Sequence, residues 1–310
     1  TLASRAVKNK RFARLRVSVL ALTASAATAF GGVVAALPSV AVAAPIMRQD
    51  ATQITLQGAV NVRDVGGYVT YTGDPTKSGR VIRADALGKL TDADVQKLGT
   101  LGVKTVVDFR TSAEVQGLGA DRLPAGVSAV ARPIDDGGIY LKTAQAIGTK
   151  DPVQQQALLG DGKAEQIMRN AYTNFLGADA TAKFSQTIKD VAAASGPFLY
   201  HCTSGKDRTG WMTYVLLRAV GVPESITRQD YLLSNQYRAA ADAALRDQLK
   251  AAGLMQNPDL LIPLQIVSDD YLNVAVDQMN QKYGDFGNYL TKGLGLDAGT
   301  ILRLHEKLVG

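Results

Sequence analysis

The chain has 310 residues, of which 46% are hydrophobic, 20% charged and 6% aromatic. This is globular composition; it excludes wholesale disorder, collagen and coiled coil, and it leaves room for one large domain or two small ones. The formal charge of +6 is a property of the N-terminus. Residues 1–43 carry Arg5, Lys8, Lys10, Arg11, Arg14 and Arg16 and no acid, and removing those six from 34 basic residues leaves 28 against 28 acidic. A neutral remainder gives a nucleic-acid partner no electrostatic support. Cys202 is the sole cysteine, so no disulfide forms within the chain, and His201 and His305 are too few to build a zinc site.

The N-terminal pattern is that of an export signal. A basic stretch ends at Arg16, a weakly apolar, Ala-rich run follows over 17–37, and Val40-Ala41-Val42-Ala43-Ala44 supplies small residues for cleavage after Ala43. The alternative is a retained anchor, since the run is long enough to span a bilayer. No basic cluster follows it, and Lys10-Arg11 falls short of a twin-arginine signal. On the cleaved-signal reading, residues 44–310 form a single domain that is secreted or held at the cell envelope.

Residues 52–56 read as a short strand, and 61–68 (NVRDVGGY) as a loop with Gly66-Gly67 at its turn. Residues 81–83 form another short strand. Thr91 caps a helix over 92–98 with acids in its first turn. The β-branched run 104–109 (KTVVDF) is a buried strand. A short helix starts over 112–115. Residues 127–134 are a further strand, followed by the loop Asp135-Asp136-Gly137-Gly138. Residues 140–163 show little pattern and read as mobile. Amphipathic helices cover 164–176 and 182–194, and Gly196-Pro197 breaks the second. An apolar strand over 198–201 leads into a loop, 202–208. A helix over 209–220 follows and stops at Gly221, with Pro223 just beyond. Further helices read at 226–240, 243–252, 267–283 and 300–308. Strands interleaved with helices predict an α/β fold, a mostly parallel central sheet flanked by helices. The helical C-terminal part reads either as a lid over the site or as core.

Chemistry concentrates in 198–211, FLYHCTSGKDRTGW. An apolar strand runs into His-Cys, five residues separate Cys202 from Arg208, and a helix starts at once. Such a loop suits a tetrahedral dianion. Its backbone N–H groups curl into a nest at a helix N-terminus, and Arg208 offers a planar fork to two oxygens. The same field favours the thiolate form of Cys202, which then attacks phosphorus and forms a phospho-cysteine. Gly205 lets the loop bend without a Cβ clash. Thr209 is placed to hydrogen-bond the thiolate, and His201 to orient the loop rather than act as a base.

His-Cys-x5-Arg-Thr-Gly resembles the signature loop of cysteine-dependent protein tyrosine phosphatases. The variant HCTSGKDRTG is similar to that of the atypical bacterial tyrosine/lipid phosphatases, secreted enzymes with dual tyrosine and phosphoinositide activity. NVRDVGGY and Val106-Val107-Asp108-Phe109-Arg110 resemble that family's entry segments, so the likeness runs from about residue 52 to the end. It implies a protein-tyrosine-phosphatase-like fold, Cys202 as nucleophile and Arg208 as phosphate and transition-state binder. Thr203, Ser204, Gly205, Lys206 and Asp207 would supply loop amides, and Lys206 would serve the extra phosphates of inositol lipids. The implied partners are a phosphorylated protein or a phosphoinositide, with contact to a lipid surface. Neither a metal nor an organic cofactor is implied.

The general acid departs from the family pattern. Other members use an aspartate on a mobile Trp-Pro-Asp loop, whereas the one tryptophan here, Trp211, lies on the helix after the nucleophile loop. Asp207, at a position proposed as the acid in the resembling family, ranks ahead of Asp135 or Asp136 in the Gly-rich loop. An ion pair from Asp207 to a neighbouring cation is its structural alternative. Arg63-Asp64 and Asp108-Arg110 read as ion pairs that fix loops, and Tyr68 as a half-buried loop aromatic or a platform for a phosphotyrosine ring. Two other functions stay open, an inositol-polyphosphate or phytate phosphatase and a phospho-binding pseudo-phosphatase, and so does the oligomeric state. A neutral mature chain argues against the first, and intact Cys202, Arg208 and Thr209 against the second.

Overall fold

A computed structural model describes residues 52–310; the signal and anchor readings fall outside the described residues. A six-stranded sheet runs in the order β1-β2-β3-β6-β4-β5. The strands are β1 (Thr52–Gln53), β2 (Arg63–Asp64), β3 (Val81–Ala84), β4 (Thr105–Asp108), β5 (Ser128–Ala131) and β6 (Phe198–His201). β1, β2 and β3 pair antiparallel, and β3, β6, β4 and β5 run parallel. The mostly parallel α/β expectation holds.

β6 lies between two parallel neighbours, with His201 opposite Ala84 on one side and Asp108 on the other. All four of its residues are buried, as befits a strand covered on both faces. Side chains alternate across the sheet. Ile82, Val106 and Leu199 join one core with Leu56, Val62 and Leu98. Val81, Val107, Phe198 and Tyr200 join a larger core with Phe184, Trp211 and Tyr289 on the other face. The loop leaving β6 therefore emerges at the carboxyl edge of the parallel strands, the place where open α/β sheets bind ligands.

Two early helices start on capping boxes: α1 (Asp92–Thr100) on Thr91 with Asp94, and α2 (Ser112–Leu118) on Thr111 with Glu114. Then come α3 (Ile139–Thr149), α4 (Pro152–Leu159), α5 (Lys163–Asn174) and α6 (Ala178–Ala193). After β6 come α7 (Arg208–Ala219) and α8 (Glu224–Ala251). A 3-10 turn, Pro258–Leu261, precedes α9 (Ile262–Gln265), α10 (Asp269–Tyr283), α11 (Phe286–Asn288) and α12 (Ala298–Leu308).

The structure corrects three expectations. Residues 140–163 are ordered as helices rather than as a mobile segment. Asp151 caps α4 with Pro152 at its first turn, and Ala146 and Leu159 are buried in the core; short helices separated by a cap lack the long period that sequence reading detects. The two helices expected at 226–240 and 243–252 are one helix of 28 residues, since Ala240-Ala241-Asp242-Ala243 holds no breaker. The strands read at 52–56 and 127–134 shorten to Thr52–Gln53 and Ser128–Ala131. Among the described residues no helix is long and apolar enough to cross a membrane.

Candidate active site

Cys202 directly follows β6 and is 2% exposed. The loop after it is shaped by its carbonyls. The Thr203 carbonyl accepts from Ala86 N at 3.1 Å. The Ser204 and Gly205 carbonyls accept from Asn61 Nδ2 at 3.0 and 3.1 Å, and Gly205 accepts also from Arg83 Nη2 at 2.8 Å. In a trans peptide the N–H points opposite to the C=O. Pinning three successive carbonyls to the scaffold thus turns the Ser204, Gly205 and Lys206 amides to the other side, as an anion nest requires. Gly205 has φ +64°, and a Cβ there would lie 2.5 Å from the Ala84 carbonyl oxygen. Only glycine lets the loop pass the end of β3 this closely.

The donors that pin the loop rest on a buried ionic network. Asp230 on α8 accepts from Arg63 Nε at 2.9 Å, Arg83 Nη1 at 2.6 Å and the Tyr68 hydroxyl at 2.8 Å. Arg63 Nη1 donates to Asn61 Oδ1 at 2.5 Å. Burial raises the Asp230 carboxyl, but the Arg63 and Arg83 charges outweigh it and hold it at about 2. Two sequence readings are corrected here. Arg63 does not pair with Asp64, whose carboxylate instead accepts from the Gly66 and Gly79 amides. Tyr68 is 1% exposed, so it is neither half-buried nor a platform for a substrate ring.

Arg208 opens α7 and is held by Glu114 of α2. Nη1 donates to Glu114 Oε2 at 2.8 Å and to the Phe109 and Ile134 carbonyls at 3.1 Å, and Nη2 donates to Oε1 at 2.5 Å. Glu114 also accepts from Thr203 Oγ1 at 2.5 Å and from the Thr111 amide at 2.7 Å. Burial raises its pKa, yet the Arg208 bond and charge prevail and hold it at about 2. Burial pulls Arg208 downward, but its Glu114 bond and the charges of Cys202, Glu114 and Asp136 shift it upward on balance. The guanidinium is a permanent cation with its end edge spent on Glu114. Its side edge, Nε–H and the second Nη2–H, has no acceptor among the described residues and is the fork left for an oxyanion.

Asp207 is the residue before α7. Its carboxylate accepts from Lys206 Nζ at 3.0 and 2.8 Å and, through Oδ1, from the Tyr172 hydroxyl at 2.9 Å. The ion pair considered from sequence is thus present. Lys206 is 2% exposed and donates also to the Ile266 carbonyl at 3.2 Å. The segment after α9 therefore reaches over the nucleophile loop.

Asp136 is buried, accepts from the Gly138 and Tyr140 amides at 2.8 Å, and sits in the field of Arg208. Desolvation raises it despite those bonds and that charge. Asp135 accepts from the Gly137 amide at 2.9 Å. Thr209 is in the first turn of α7 with its hydroxyl buried and unbonded, so its expected bond to Cys202 is not made.

His201 faces two acceptors. Nδ1 lies 3.1 Å from the Cys202 carbonyl and Nε2 lies 2.7 Å from Asp121. Burial lowers its pKa, but the Asp121 bond and the Asp121 and Asp108 charges raise it on balance, toward an imidazolium. The ring braces the loop at its first residue, as expected. Arg110 pairs with Asp108 and with Asp121, each at 2.8 Å, which bears out the Asp108–Arg110 reading. Asp108, Asp121 and His201 gather ligand atoms, but Arg110 already supplies the cation there.

Sequence reading missed Glu114, Asn61, Arg83, Asp230 and Tyr172. For Glu114 a signal exists: Thr111-Ser-Ala-Glu114 is a capping box. Its second duty, gripping Arg208, has no local trace.

The sequence model of a tyrosine phosphatase family matches residues 54–310. The chain is 28% identical over 283 residues to the triple specificity protein phosphatase PtpB of Mycobacterium tuberculosis, an alignment covering 82% of this chain and 98% of that one. It is 30% identical over 244 residues to a Cupriavidus necator protein named as a tyrosine-protein phosphatase, covering 78% of this chain and 84% of the relative. Among solved structures, Pseudomonas aeruginosa TpbA aligns at 19% identity and TM-score 0.26, covering 58% of this chain and 89% of that one. With the family model spanning almost every described residue, the chain belongs to the tyrosine phosphatase family.

Proposed function

We propose that the protein hydrolyses phosphotyrosine through a phospho-cysteine on Cys202, and that phosphoserine, phosphothreonine and phosphoinositides are further substrates. The observation that carries this reading is the pinned loop. Three outward carbonyls leave three amides for the dianion, and Glu114 fixes Arg208 with one edge free beside them. Donors set in advance where charge develops cost no reorganisation during reaction.

The Cys202 thiolate attacks phosphorus, and the bond to the ester oxygen breaks as Asp207 gives that oxygen a proton. Asp207, now a carboxylate, takes a proton from water. The water oxygen attacks phosphorus, the P–S bond breaks, and phosphate leaves with the thiolate restored. Asp136 is the second candidate for the proton transfers, since burial keeps its carboxyl more readily protonated.

Lipid substrates call on Lys206. Its ammonium would exchange Asp207 and the Ile266 carbonyl for an added phosphate. The relative named for triple specificity supports the wider substrate range. Export rests on the basic, apolar and small-residue order of residues 1–43. The test is steady-state hydrolysis of an aryl phosphate, a phosphotyrosine peptide and a phosphoinositide panel, beside Cys202→Ser. The proposal expects turnover on the first two and its loss in the variant. Bound phosphate without turnover would instead favour a binding module.

A further inference from the structure

Two buried phenols stand behind Asp207, on helices remote from the signature loop in sequence. Tyr172 comes from α5 and Tyr231 from α8, and both are 0% exposed. Tyr172 has one hydroxyl hydrogen, and the Asp207 carboxylate, which only accepts, takes it at 2.9 Å. The 2.6 Å contact between the two phenols therefore has Tyr231 as donor. The longer contact from Tyr231 to the Ser268 carbonyl, 3.3 Å, is secondary. Burial and the Asp207 charge raise both phenols well above their ordinary 10, so each remains a neutral donor at any working pH.

The rings have no freedom to leave. Tyr172 packs against Phe175 at 4.9 Å, Tyr271 at 6.1 Å and edge-on against Tyr231 at 6.4 Å. Tyr231 in turn lies under the first turn of α7, where a Cβ on Gly210 would come within 2.9 Å of its ring. The glycine after Arg208-Thr209 is what allows this approach.

We infer that Tyr172 and Tyr231 are a positioning pair for the proton donor: they hold Asp207 by Oδ1, and when Lys206 Nζ, which bridges both carboxylate oxygens at 3.0 and 2.8 Å, withdraws, Oδ2 is the oxygen that carries the proton. The inference rests on the reading of Asp207 as general acid. When the proton passes from Oδ2 to the ester oxygen, the carboxylate formed keeps its Tyr172 bond. That bond is stronger to the anion than to the acid, so it assists the transfer as well as aiming it. When water later returns a proton to Oδ2, the same bond persists, and Tyr172 itself loses no proton at any step.

The test compares Tyr172→Phe with the parent protein on phenyl phosphate, whose leaving phenol needs a proton, and on p-nitrophenyl phosphate, whose leaving phenol needs it far less. The ring is kept, so the aromatic cluster stays packed. The expected loss in kcat/KM is about tenfold on phenyl phosphate and about twofold on p-nitrophenyl phosphate, a fraction of what a general acid contributes, with vanadate affinity preserved. Tyr231→Phe is expected to act in the same direction and less strongly. Equal losses on both substrates, or none, would overturn the pairing, because a packing role would not depend on the leaving group. Asp207→Asn separates the two claims. If it shows no leaving-group dependence, the acid reading fails and this inference with it. If it does and Tyr172→Phe does not, only the inference fails. In the Asp207→Asn background, Tyr172→Phe should cost nothing more.

Discussion

Replacing Glu114 by glutamine keeps the side chain's shape and removes its charge. The carboxylate is 1% exposed and serves four donors: two nitrogens of Arg208, the Thr203 hydroxyl and the Thr111 amide. An amide has one oxygen for these four, and its NH2 group would face donors. Arg208 would also lose its counter-ion inside the protein, and breaking such a pair costs roughly 3–5 kcal/mol. A second route gives the same size. Glu114 is held at about 2 against its ordinary 4.5, and at about 1.4 kcal/mol per pH unit the displacement is worth ~3 kcal/mol. The folded pKa lies below the unfolded one, so this stability is fully present above pH ~5 and fades as pH falls toward 2. Urea unfolding of both proteins at pH 7 and pH 3 measures it. The variant should be weaker by about 3 kcal/mol at pH 7 and by clearly less at pH 3. A deficit under about 1 kcal/mol at pH 7, in the range of an exposed pair, or one that does not change between the two pH values, would refute the reasoning.

Gly205→Ala forces a Cβ to 2.5 Å from the Ala84 carbonyl at φ +64°; kcat/KM should fall at least about a hundredfold as the amides lose their aim, with vanadate inhibition weakened in parallel, and a fully active variant would contradict the loop geometry. Asp230→Asn leaves Arg63 and Arg83 without their shared anion, so it should cost about 3–5 kcal/mol and lower Tm by roughly 10 °C. Asp230 is held at about 2, below its ordinary 3.8, so that loss should be present above pH ~4 and shrink toward pH 2 in thermal melts at graded pH.

The strand at β6 and the nucleophile loop were legible because their signals are local. Phe198–His201 is an apolar run bounded by Gly196-Pro197 and the loop, and the loop carries its glycine and arginine in fixed order. What holds the loop was not legible. Asn61 meets Ser204 across 143 positions, Arg63 meets Asp230 across 167, and Glu114 meets Arg208 across 94. Such partners are set by how β2, α2 and α8 converge on one sheet edge, which no short window contains. Arg63-Asp64 misled because adjacent residues of a strand point to opposite faces and cannot pair as residues on one helix face do. Tyr172 looked like one more apolar position of an amphipathic helix, and only its hydroxyl, aimed at Asp207, sets it apart.

The central claim is a covalent intermediate on one sulfur. The direct measurement is rapid acid quench during turnover of a phosphotyrosine peptide, followed by mass analysis of the proteolysed protein. The account predicts one phosphoryl group on the peptide that contains Cys202, and neither label nor turnover in Cys202→Ala. Turnover retained by Cys202→Ala, or a phosphoryl group found on another residue, would contradict it.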